Sequence, residues 1–209
     1  PNRADRFGPG CVFCAEDGNR ARHLSRHLDL KKQVAAGIAF ASERYGATPP
    51  YIAYFQAFTS TYAPVETLRE LYREVLDSAP FAVVIVGTRP DALPPETVAF
   101  LAELAGRYEV WVELGVQSAH DSTLELIRRG HDFAAVERAA RVLASAGIRV
   151  GCHVIAGLPG EDRAMFVETA RRVAALPFSA VKLHPLLTLK GTALASPDFP
   201  VKPLPLNEY

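Results

Sequence analysis

The sequence predicts an α/β domain in which helices cover a parallel sheet. Short apolar runs rich in β-branched and aromatic residues recur about every 30 residues. The segments between them have the periodicity of amphipathic helices, and no low-complexity linker divides the 209 residues. Such alternation builds βα units. Five runs are too few for a closed eight-stranded barrel, so a partial barrel and an open doubly wound sheet both fit.

The strands are predicted in order along the chain, each from one apolar run. The runs are Tyr51–Phe55, Phe81–Val86, Tyr108–Leu114, Arg149–Ile155 and Ala180–Leu183. Each is followed by a polar or glycine-containing loop. Because the carboxyl ends of parallel strands meet at one edge of a sheet or barrel, we expect these loops to build the active site.

The helices are predicted from apolar stripes and from residues that start or stop a helix. The first runs from about Asp29 to Tyr45, before a turn that contains two prolines. Asp132 and Asp162 are expected N-caps, because a short carboxylate accepts a hydrogen bond from the first turn. Gly106 and Gly147 are expected to end the helices that precede them.

The chain is expected to form one core domain over residues 1–195. Residues 196–209 follow as an irregular tail, because proline interrupts both helices and strands. Four prolines lie in that tail: Pro197, Pro200, Pro203 and Pro205.

Composition excludes some classes of function and leaves others open. The chain has 23 basic and 23 acidic residues, so bulk charge gives no support for nucleic-acid or membrane binding. No apolar run approaches the roughly 20 residues of a membrane-spanning helix. The 3 cysteines are an odd number and two form Cys-x-x-Cys, which is typical of a reducing compartment. We therefore expect a cytoplasmic protein without a membrane partner.

Cys11 and Cys14 form the most informative motif, because two thiolates at this spacing can bind one soft metal centre. Four interpretations remain: two incidental thiols, a thioredoxin-like redox pair, a structural zinc site or part of an iron–sulfur cluster. The zinc site would add His23 and His27, in a non-catalytic α/β binding module. The cluster needs another thiolate. Since the chain begins with Pro1 rather than Met, we interpret it as a fragment, and we expect a third cysteine of the cluster to lie outside the given sequence.

Several motifs, in order along nearly the whole chain, resemble those of radical S-adenosylmethionine enzymes. They are Pro1-Asn2-Arg3, Gly10-Cys11-Val12-Phe13-Cys14, Tyr54-Phe55-Gln56-Ala57-Phe58-Thr59-Ser60-Thr61, Val86-Gly87-Thr88-Arg89-Pro90-Asp91, Glu113-Leu114-Gly115-Val116-Gln117-Ser118, Arg129-Gly130-His131, Ala156-Gly157-Leu158-Pro159-Gly160-Glu161 and Lys182-Leu183-His184-Pro185. The chain most closely resembles the YhcC-like group, which is related to the radical domain of the Elongator catalytic subunit and to oxygen-independent coproporphyrinogen oxidase. The resemblance implies a partial (β/α) barrel whose first strand precedes this chain.

The resemblance also implies the chemistry. Cys11, Cys14 and a third cysteine just before Pro1 would hold three irons of a [4Fe-4S] cluster, and S-adenosylmethionine would chelate the fourth. One electron, from a donor such as flavodoxin or ferredoxin, cleaves this cofactor to a 5′-deoxyadenosyl radical that attacks a substrate. The substrate is not specified: RNA, a small molecule and a protein side chain all remain open, with RNA modification suggested by the Elongator relationship.

The resemblance assigns candidate contacts to the methionine end of the cofactor. Thr59 and Ser60 would bind its amino group, although ordinary turn capping explains them equally well. Arg129 would pair with its carboxylate, since a guanidinium suits this geometry, and Gln117 would contact the carboxylate or the ribose. A solvated surface charge is the alternative for Arg129.

Two further segments are candidates for contact with the rest of the cofactor. His153 lies within a strand and either faces the barrel interior or is a satisfied core histidine. Its neighbour Cys152 must point to the opposite face, where we expect it to be packed. Gly157 and Gly160 would allow close approach of the backbone to adenine, or simply form a β-to-α turn.

The candidate catalytic residues are Glu113, Lys182 and His184. Glu113 ends a very apolar strand, so its carboxylate should be paired or functional, and cofactor contact is a further candidate role. Arg89 and Asp91 are its candidate partners, unless they pair with each other. Lys182 and His184 alternate on the last strand, and we expect both to point inward toward the substrate.

Overall fold

The computed structural model describes residues 10–14, 21, 29–56 and 58–200. In this part of the chain five strands alternate with helices. The strands are β1 (Tyr51–Phe55), β2 (Phe81–Thr88), β3 (Glu109–Gln117), β4 (Arg149–Ala156) and β5 (Ala180–Pro185). The helices are α1 (Leu30–Tyr45), α2 (Val65–Leu76), α3 (Pro95–Ala105), α4 (Asp121–Leu126), α5 (Phe133–Ser145) and α6 (Arg163–Ala174), with a 3₁₀ turn at Ala193–Ala195.

The five strands form one parallel sheet in the order β1-β2-β3-β4-β5. All five predicted strands are present, and several extend further than predicted. The largest difference is in β3, which ends at Gln117 rather than Leu114. Gly115 and Gln117, which the sequence analysis placed in a loop, therefore belong to the strand.

The sheet is curled into a half-barrel. Nζ of Lys182 on β5 lies 3.2 Å from the hydroxyl oxygen of Tyr54 on β1. These two strands are the opposite edges of the sheet, which would be about 19 Å apart in a flat sheet with strand spacings near 4.8 Å. The contact requires strong curvature, so of the two predicted architectures the partial barrel is correct and the open doubly wound sheet is not.

Aspartate side chains start three of the helices. Asp29, Asp132 and Asp162 accept hydrogen bonds from the backbone N–H groups of Lys32, Ala135 and Met165, each at 2.8 Å. These bonds satisfy donors that have no partner within a helix. Both predicted N-caps, Asp132 and Asp162, are confirmed.

The core lies between the convex face of the sheet and the helices. Val84, Val86, Val112 and Leu114 point to this side and have no exposed surface. Cys152 lies among them at 1% exposure, and burial raises the pKa of its thiol to about 12. The alternation along β4 sends Cys152 into the core, as predicted, and His153 to the opposite, concave face, which is one of the two alternatives for His153.

The chain after β5 has little regular structure. Its 3₁₀ turn ends before Ser196, and residues 196–200 add no helix or strand. The predicted division into residues 1–195 and 196–209 stays a prediction, because residues 201–209 lie outside the described part. Among the helices that the structure describes, none is both long and apolar enough to cross a bilayer.

Candidate active site

The Cys-x-x-Cys loop lies over the carboxyl end of β3. The N–H of Val12 donates to the carbonyl of Ile127 at 3.2 Å, and the N–H of Leu194 donates to the carbonyl of Val12 at 2.8 Å. A turn within the loop brings the N–H of Cys14 to the carbonyl of Cys11 at 3.1 Å. Cys11 is buried and Cys14 is exposed, so the loop presents one thiol inward and one outward.

Arg129 connects this loop to the sheet. Its Nη1 donates to Sγ of Cys11 at 3.3 Å, and its Nη2 donates to the carbonyl of Gly115 at 2.5 Å. Only 6% of Arg129 is exposed, whereas the neighbouring Arg128 points to solvent. The alternative of a solvated surface charge is therefore wrong for Arg129.

Gln117 lies beside this guanidinium in an unusual backbone conformation. Its φ is 72°, and the pairing of β3 with β4 shifts register between Gly115 and Gln117. A left-handed conformation is costly for a residue with a side chain, and such strain concentrates at functional sites. The bulge directs the Gln117 side chain toward Gly115, since a Cβ placed there would lie 2.9 Å from Nε2 of Gln117.

Two buried polar atoms at this place have no partner within the described residues: Nε of Arg129 and Oε1 of Gln117. Buried polar groups are nearly always paired, so a bound group with both acceptors and donors would complete them. The amino-acid end of S-adenosylmethionine carries a carboxylate and an amino group, which fit this donor and acceptor. Cys11 and Cys14 fit two of the three thiolate positions of a [4Fe-4S] cluster.

Glu113 is the centre of a second cluster, on the concave face of the half-barrel. Its Oε2 accepts hydrogen bonds from the hydroxyl of Tyr54 at 2.6 Å, from Nε2 of His153 at 2.8 Å and from Nζ of Lys182 at 2.8 Å. Its Oε1 lies 2.7 Å from the same Nζ. Four of the five strands thus contribute one side chain each, which we call the Glu113 cluster: Tyr54, Glu113, His153 and Lys182.

Glycines in the neighbouring strands make this convergence possible. Gly87 on β2 and Gly151 on β4 are the register partners of Glu113. With no side chain at either position, Tyr54 and Lys182 can reach Glu113 across an intervening strand.

The Glu113 cluster keeps its carboxylate ionised. Burial alone would raise the pKa of Glu113, but hydrogen bonds from His153, Lys182 and Tyr54 outweigh it and lower the pKa to about 2. Burial and the same hydrogen bond raise the pKa of Tyr54. Glu113 is therefore a hydrogen-bond acceptor and a fixed negative charge at neutral pH, not a proton donor.

His184 lies beside the Glu113 cluster, with its ring centroid 5.1 Å from that of His153. Burial lowers its pKa, and the charges of His153 and Lys182 lower it further. Lys182 and His184 both lie on the concave side of β5, as predicted. The candidate catalytic residues are thus brought together in one place.

Thr59 and Ser60 form the turn after β1. Oγ of Ser60 donates to the carbonyl of Phe55 at 3.1 Å, and the carbonyl of Thr59 accepts from the N–H of Tyr62 at 3.1 Å. These bonds are those of ordinary turn capping. Binding of an amino group by these two residues stays a prediction.

The loop after β4 requires its two glycines. Gly157 and Gly160 have φ values of 79° and 83°, which other residues rarely adopt. Glu161 follows and accepts a short hydrogen bond from Ser118, which ties this loop to the end of β3. A role of the glycines in adenine binding stays a prediction.

One expected ion pair is wrong. Arg89 and Asp91 were candidate partners of Glu113, but Arg89 instead donates from Nε to Oδ1 of Asp91 at 2.8 Å. The two residues form the rigid pair that was the alternative. Glu113 lies on the concave face, where its carboxylate is paired with Lys182 and His153.

Sequence analysis missed two residues of these clusters, and two of its candidates cannot be placed. Tyr54 and Gly115 appeared only inside motifs, without a role. The signal for Tyr54 was its position two residues after Ile52, because alternation places both side chains on one face of β1, where both are exposed. The candidate zinc ligands His23 and His27 lie outside the described residues, as does the segment Pro1–Arg3.

A curled parallel sheet with two thiols, Cys11 and Cys14, near its carboxyl edge defines a half-barrel α/β domain. The sequence profile of the Radical SAM superfamily matches residues 8–173, and the chain belongs to this superfamily. The predicted family, partial-barrel fold and enzyme class are confirmed. An iron–sulfur cluster and S-adenosylmethionine are the cofactors of this family.

Three relatives show how far the similarity extends. Protein YhcC of Escherichia coli K12 is 40% identical over 199 residues, which are 93% of this chain and 62% of that protein. Uncharacterized protein YtqA of Bacillus subtilis is 44% identical over 195 residues, 93% of this chain and 60% of that protein. The chain thus spans about three-fifths of their length. A tRNA uridine(34) acetyltransferase of Methanocaldococcus infernus is 33% identical over 113 residues, 52% of this chain and 20% of that protein.

Two solved structures share the fold. Archaeal Elp3 of Methanocaldococcus infernus with an N-terminal deletion superposes with a TM-score of 0.71 at 22% identity, over 80% of this chain and 44% of that chain. Coproporphyrinogen III oxidase (HemN) of Escherichia coli gives a TM-score of 0.61 at 17% identity, over 86% of this chain and 42% of that chain. At these identities the likeness establishes the fold alone.

Proposed function

We propose that the chain is the catalytic core of a radical S-adenosylmethionine enzyme that generates a 5′-deoxyadenosyl radical and directs it at a substrate held on the concave face. The observation that carries this proposal is the set of groups around Arg129. Buried Cys11 lies at one end of the half-barrel with Nε of Arg129 and Oε1 of Gln117, and neither of these two atoms has a partner among the described residues.

Cys11 and Cys14 are the residues proposed to hold the cluster, with a third cysteine encoded just before Pro1. When bound, the cluster and S-adenosylmethionine supply the radical by one-electron reductive cleavage, and a one-electron donor protein such as flavodoxin or ferredoxin supplies the electron. Arg129 and Gln117 bind the amino-acid end of the cofactor. The buried position of these groups keeps water away from the reacting atoms.

The remaining candidate contacts lie at the carboxyl ends of their strands or on the concave face. We assign Thr59 and Ser60 to the cofactor amino group, and Gly157 and Gly160 to adenine. His153 is assigned to cofactor contact because its ring lies on the concave face with Nε2 held by Glu113. In the neutral form of His153 that donates from Nε2, Nδ1 would be an acceptor for a hydroxyl group.

The substrate is proposed to lie against the Glu113 cluster. Lys182 and His184 are the candidate catalytic residues, since both project from β5 into the half-barrel, and Lys182 is fixed by the carboxylate of Glu113 at 2.7 Å. This contact fixes the position of the Lys182 side chain in the half-barrel. Glu113 itself acts as the acceptor that orders Tyr54, His153 and Lys182.

We propose that the substrate is RNA and that the enzyme modifies a nucleoside of transfer RNA. The similarity of half of this chain to a tRNA uridine(34) acetyltransferase supports this choice. Zero formal net charge means that affinity for phosphates must come from a local surface rather than from overall charge. If the enzyme does not modify transfer RNA, the substrate is instead a small molecule or a protein side chain.

The test is anaerobic purification of the full-length protein, followed by assay of iron, sulfide and 5′-deoxyadenosine after addition of a reductant. Wild type should contain about four irons and cleave the cofactor. Cys11→Ala and Cys14→Ala should each abolish cleavage. The matched control is Cys152→Ala, because this third thiol lies in the core on the convex face and should leave cleavage intact.

The same experiment tests the non-catalytic alternative. Zinc bound by Cys11, Cys14, His23 and His27, with no iron and no cofactor cleavage, would replace the enzyme by a zinc-stabilised binding module. The codon before Pro1 gives a second check. Any residue other than cysteine there, with no other thiolate nearby, would contradict the proposed cluster.

A further inference from the structure

We propose that Arg129 sets the reduction potential of the cluster through an N–H···S hydrogen bond to Cys11, and that Gly115 provides the space for it. This inference rests on the proposed function, because it assumes that Cys11 is a cluster ligand. It goes beyond a role of Arg129 in holding the cofactor carboxylate. Arg129 is here a positioning residue that acts on the iron through the sulfur of Cys11.

The two outer nitrogens of the Arg129 guanidinium donate to different partners. Nη2 is fixed by the carbonyl of Gly115 at 2.5 Å, and this bond aims Nη1 at Sγ of Cys11, 3.3 Å away. Nε remains for a ligand carboxylate. One side chain can therefore bind the cofactor and the cluster thiolate at the same time, since a guanidinium has five N–H groups in a rigid plane.

The charge balance supports an anionic partner for Arg129. Arg129 is buried, with only 6% of its surface exposed. Within the described residues no carboxylate forms an ion pair with it. A buried unpaired charge is costly, so an anion must compensate it. A cysteine thiolate bound to iron meets this need permanently, whereas a cofactor carboxylate meets it only while the cofactor is present.

Gly115 is the position that makes this arrangement possible. A Cβ at Gly115 would lie 2.7 Å from Nη2 of Arg129 and 2.9 Å from Nε2 of Gln117. Both are the far ends of side chains, and the backbone of Gly115 is not in the left-handed region. Alanine there should be compatible with the fold while it displaces the guanidinium from Cys11.

The direction of the effect follows from electrostatics. Reduction adds an electron to the cluster, and a buried positive donor on a thiolate stabilises the more negative state. Arg129 should therefore raise the reduction potential and make the cluster easier to reduce. Loss of the guanidinium should lower the potential even when no cofactor is present.

The experiment is a redox titration of the reconstituted full-length protein, followed by EPR of the reduced cluster in the absence of S-adenosylmethionine. Arg129→Gln should shift the reduction equilibrium at least tenfold, which is about 59 mV for one electron, to lower potential. Gly115→Ala should shift it in the same direction. Arg129→Lys, which keeps the charge but not the planar fork, should lie between wild type and Arg129→Gln.

Arg128→Gln is the matched control, because this neighbouring arginine is exposed and should leave the potential unchanged. If Arg129→Gln does not assemble a cluster, Gly115→Ala and Arg129→Lys decide the question. Potentials equal to wild type in these variants, with only a weaker affinity for S-adenosylmethionine, would overturn the inference and leave the proposed function standing. A wild-type protein without a [4Fe-4S] cluster would overturn both.

Discussion

The hydroxyl of Tyr54 lies 2.6 Å from Oε2 of Glu113, although 59 residues and an intervening strand separate the two. The strand between them contributes Gly87 at the register position of Glu113, so nothing blocks the contact. His153 and Lys182 also donate hydrogen bonds to Oε2, so this oxygen accepts three hydrogen bonds in all. The carboxylate is therefore a structural tie across the half-barrel as well as a candidate part of the substrate site.

The first prediction concerns the acid stability that Glu113 provides. Its pKa is lowered from 4.5 to about 2, so its ionised form contributes stability above the unfolded pKa. That contribution is lost as pH falls through the folded pKa. The difference in unfolding free energy between wild type and Glu113→Gln should be roughly 2 kcal/mol above about pH 5, after allowance for the half-exposed Lys182, and should shrink toward pH 2.

Urea denaturation followed by circular dichroism at several pH values measures this difference. Glu125→Gln removes an exposed carboxylate from α4 and serves as control, with an expected change within about 0.5 kcal/mol. A Glu113→Gln difference that stays constant from pH 6 to pH 2 would mean that the Glu113 cluster does not hold the carboxylate ionised.

The second prediction concerns the reactivity of two thiols, Cys14 and Cys152, before any metal is bound. Cys14 is exposed, whereas Cys152 is buried with its pKa raised to about 12. Since the thiolate is the reactive form, Cys152 should be alkylated by iodoacetamide at pH 8 at least ~100-fold more slowly than Cys14. Mass spectrometry of time points identifies the order. Equal rates at the two positions would contradict the core position of Cys152.

The fold could be predicted from the sequence to a large extent, because its signals are local. Each strand is one apolar run between turn residues, and Asp132 and Asp162 each precede a helix whose first turn they cap. Curvature could not be predicted in the same way. It depends on contacts such as that between Lys182 and Tyr54, which are 128 residues apart in the chain.

The site was predictable by residue type more than by arrangement. Cys11 and Cys14 are identified by their spacing, and Arg129 and Gln117 by the motifs around them. The bond between Arg129 and Cys11 spans 118 residues and depends on a bulge that no local pattern indicates. Gly115 looked like a loop residue because predicted β3 stopped at Leu114, so its role in leaving space for the guanidinium was not visible.

The third prediction concerns larger side chains at Gly151, which lies beside Glu113 on the concave face. A Cβ at Gly151 would lie 3.4 Å from Cγ of Glu113, which is ordinary contact, so Gly151→Ala should fold normally. Gly151→Leu should push Glu113 away from Lys182, because a Cβ at this position already contacts Cγ of Glu113 and leucine adds three carbon atoms beyond it. We expect cofactor cleavage to persist while substrate turnover falls at least ~10-fold. Measurement of 5′-deoxyadenosine and of substrate product in one reaction separates the two, and equal losses in both would argue against a substrate site at Glu113.

The last prediction concerns Gln117 and the cofactor. Its Oε1 is buried without a partner in the described residues, and its backbone is held at a φ of 72°. Gln117→Ala removes the amide, while Gln117→Asn keeps an amide that is one methylene shorter on a residue type that tolerates this backbone. Both should weaken S-adenosylmethionine binding about tenfold, or about 1.4 kcal/mol, since the lost bond is to a charged or strongly polar group.

Isothermal titration of the reconstituted protein with S-adenosylmethionine measures the change, and Gln56→Ala is the control, because Gln56 is an exposed glutamine after β1. Iron content should match wild type in all three variants, because Gln117 is proposed to contact the cofactor rather than the cluster. Unchanged affinity in both Gln117 variants would mean that the orphaned oxygen is satisfied in another way. Loss of affinity in Gln117→Ala but not in Gln117→Asn would assign the effect to the amide itself, independent of its reach.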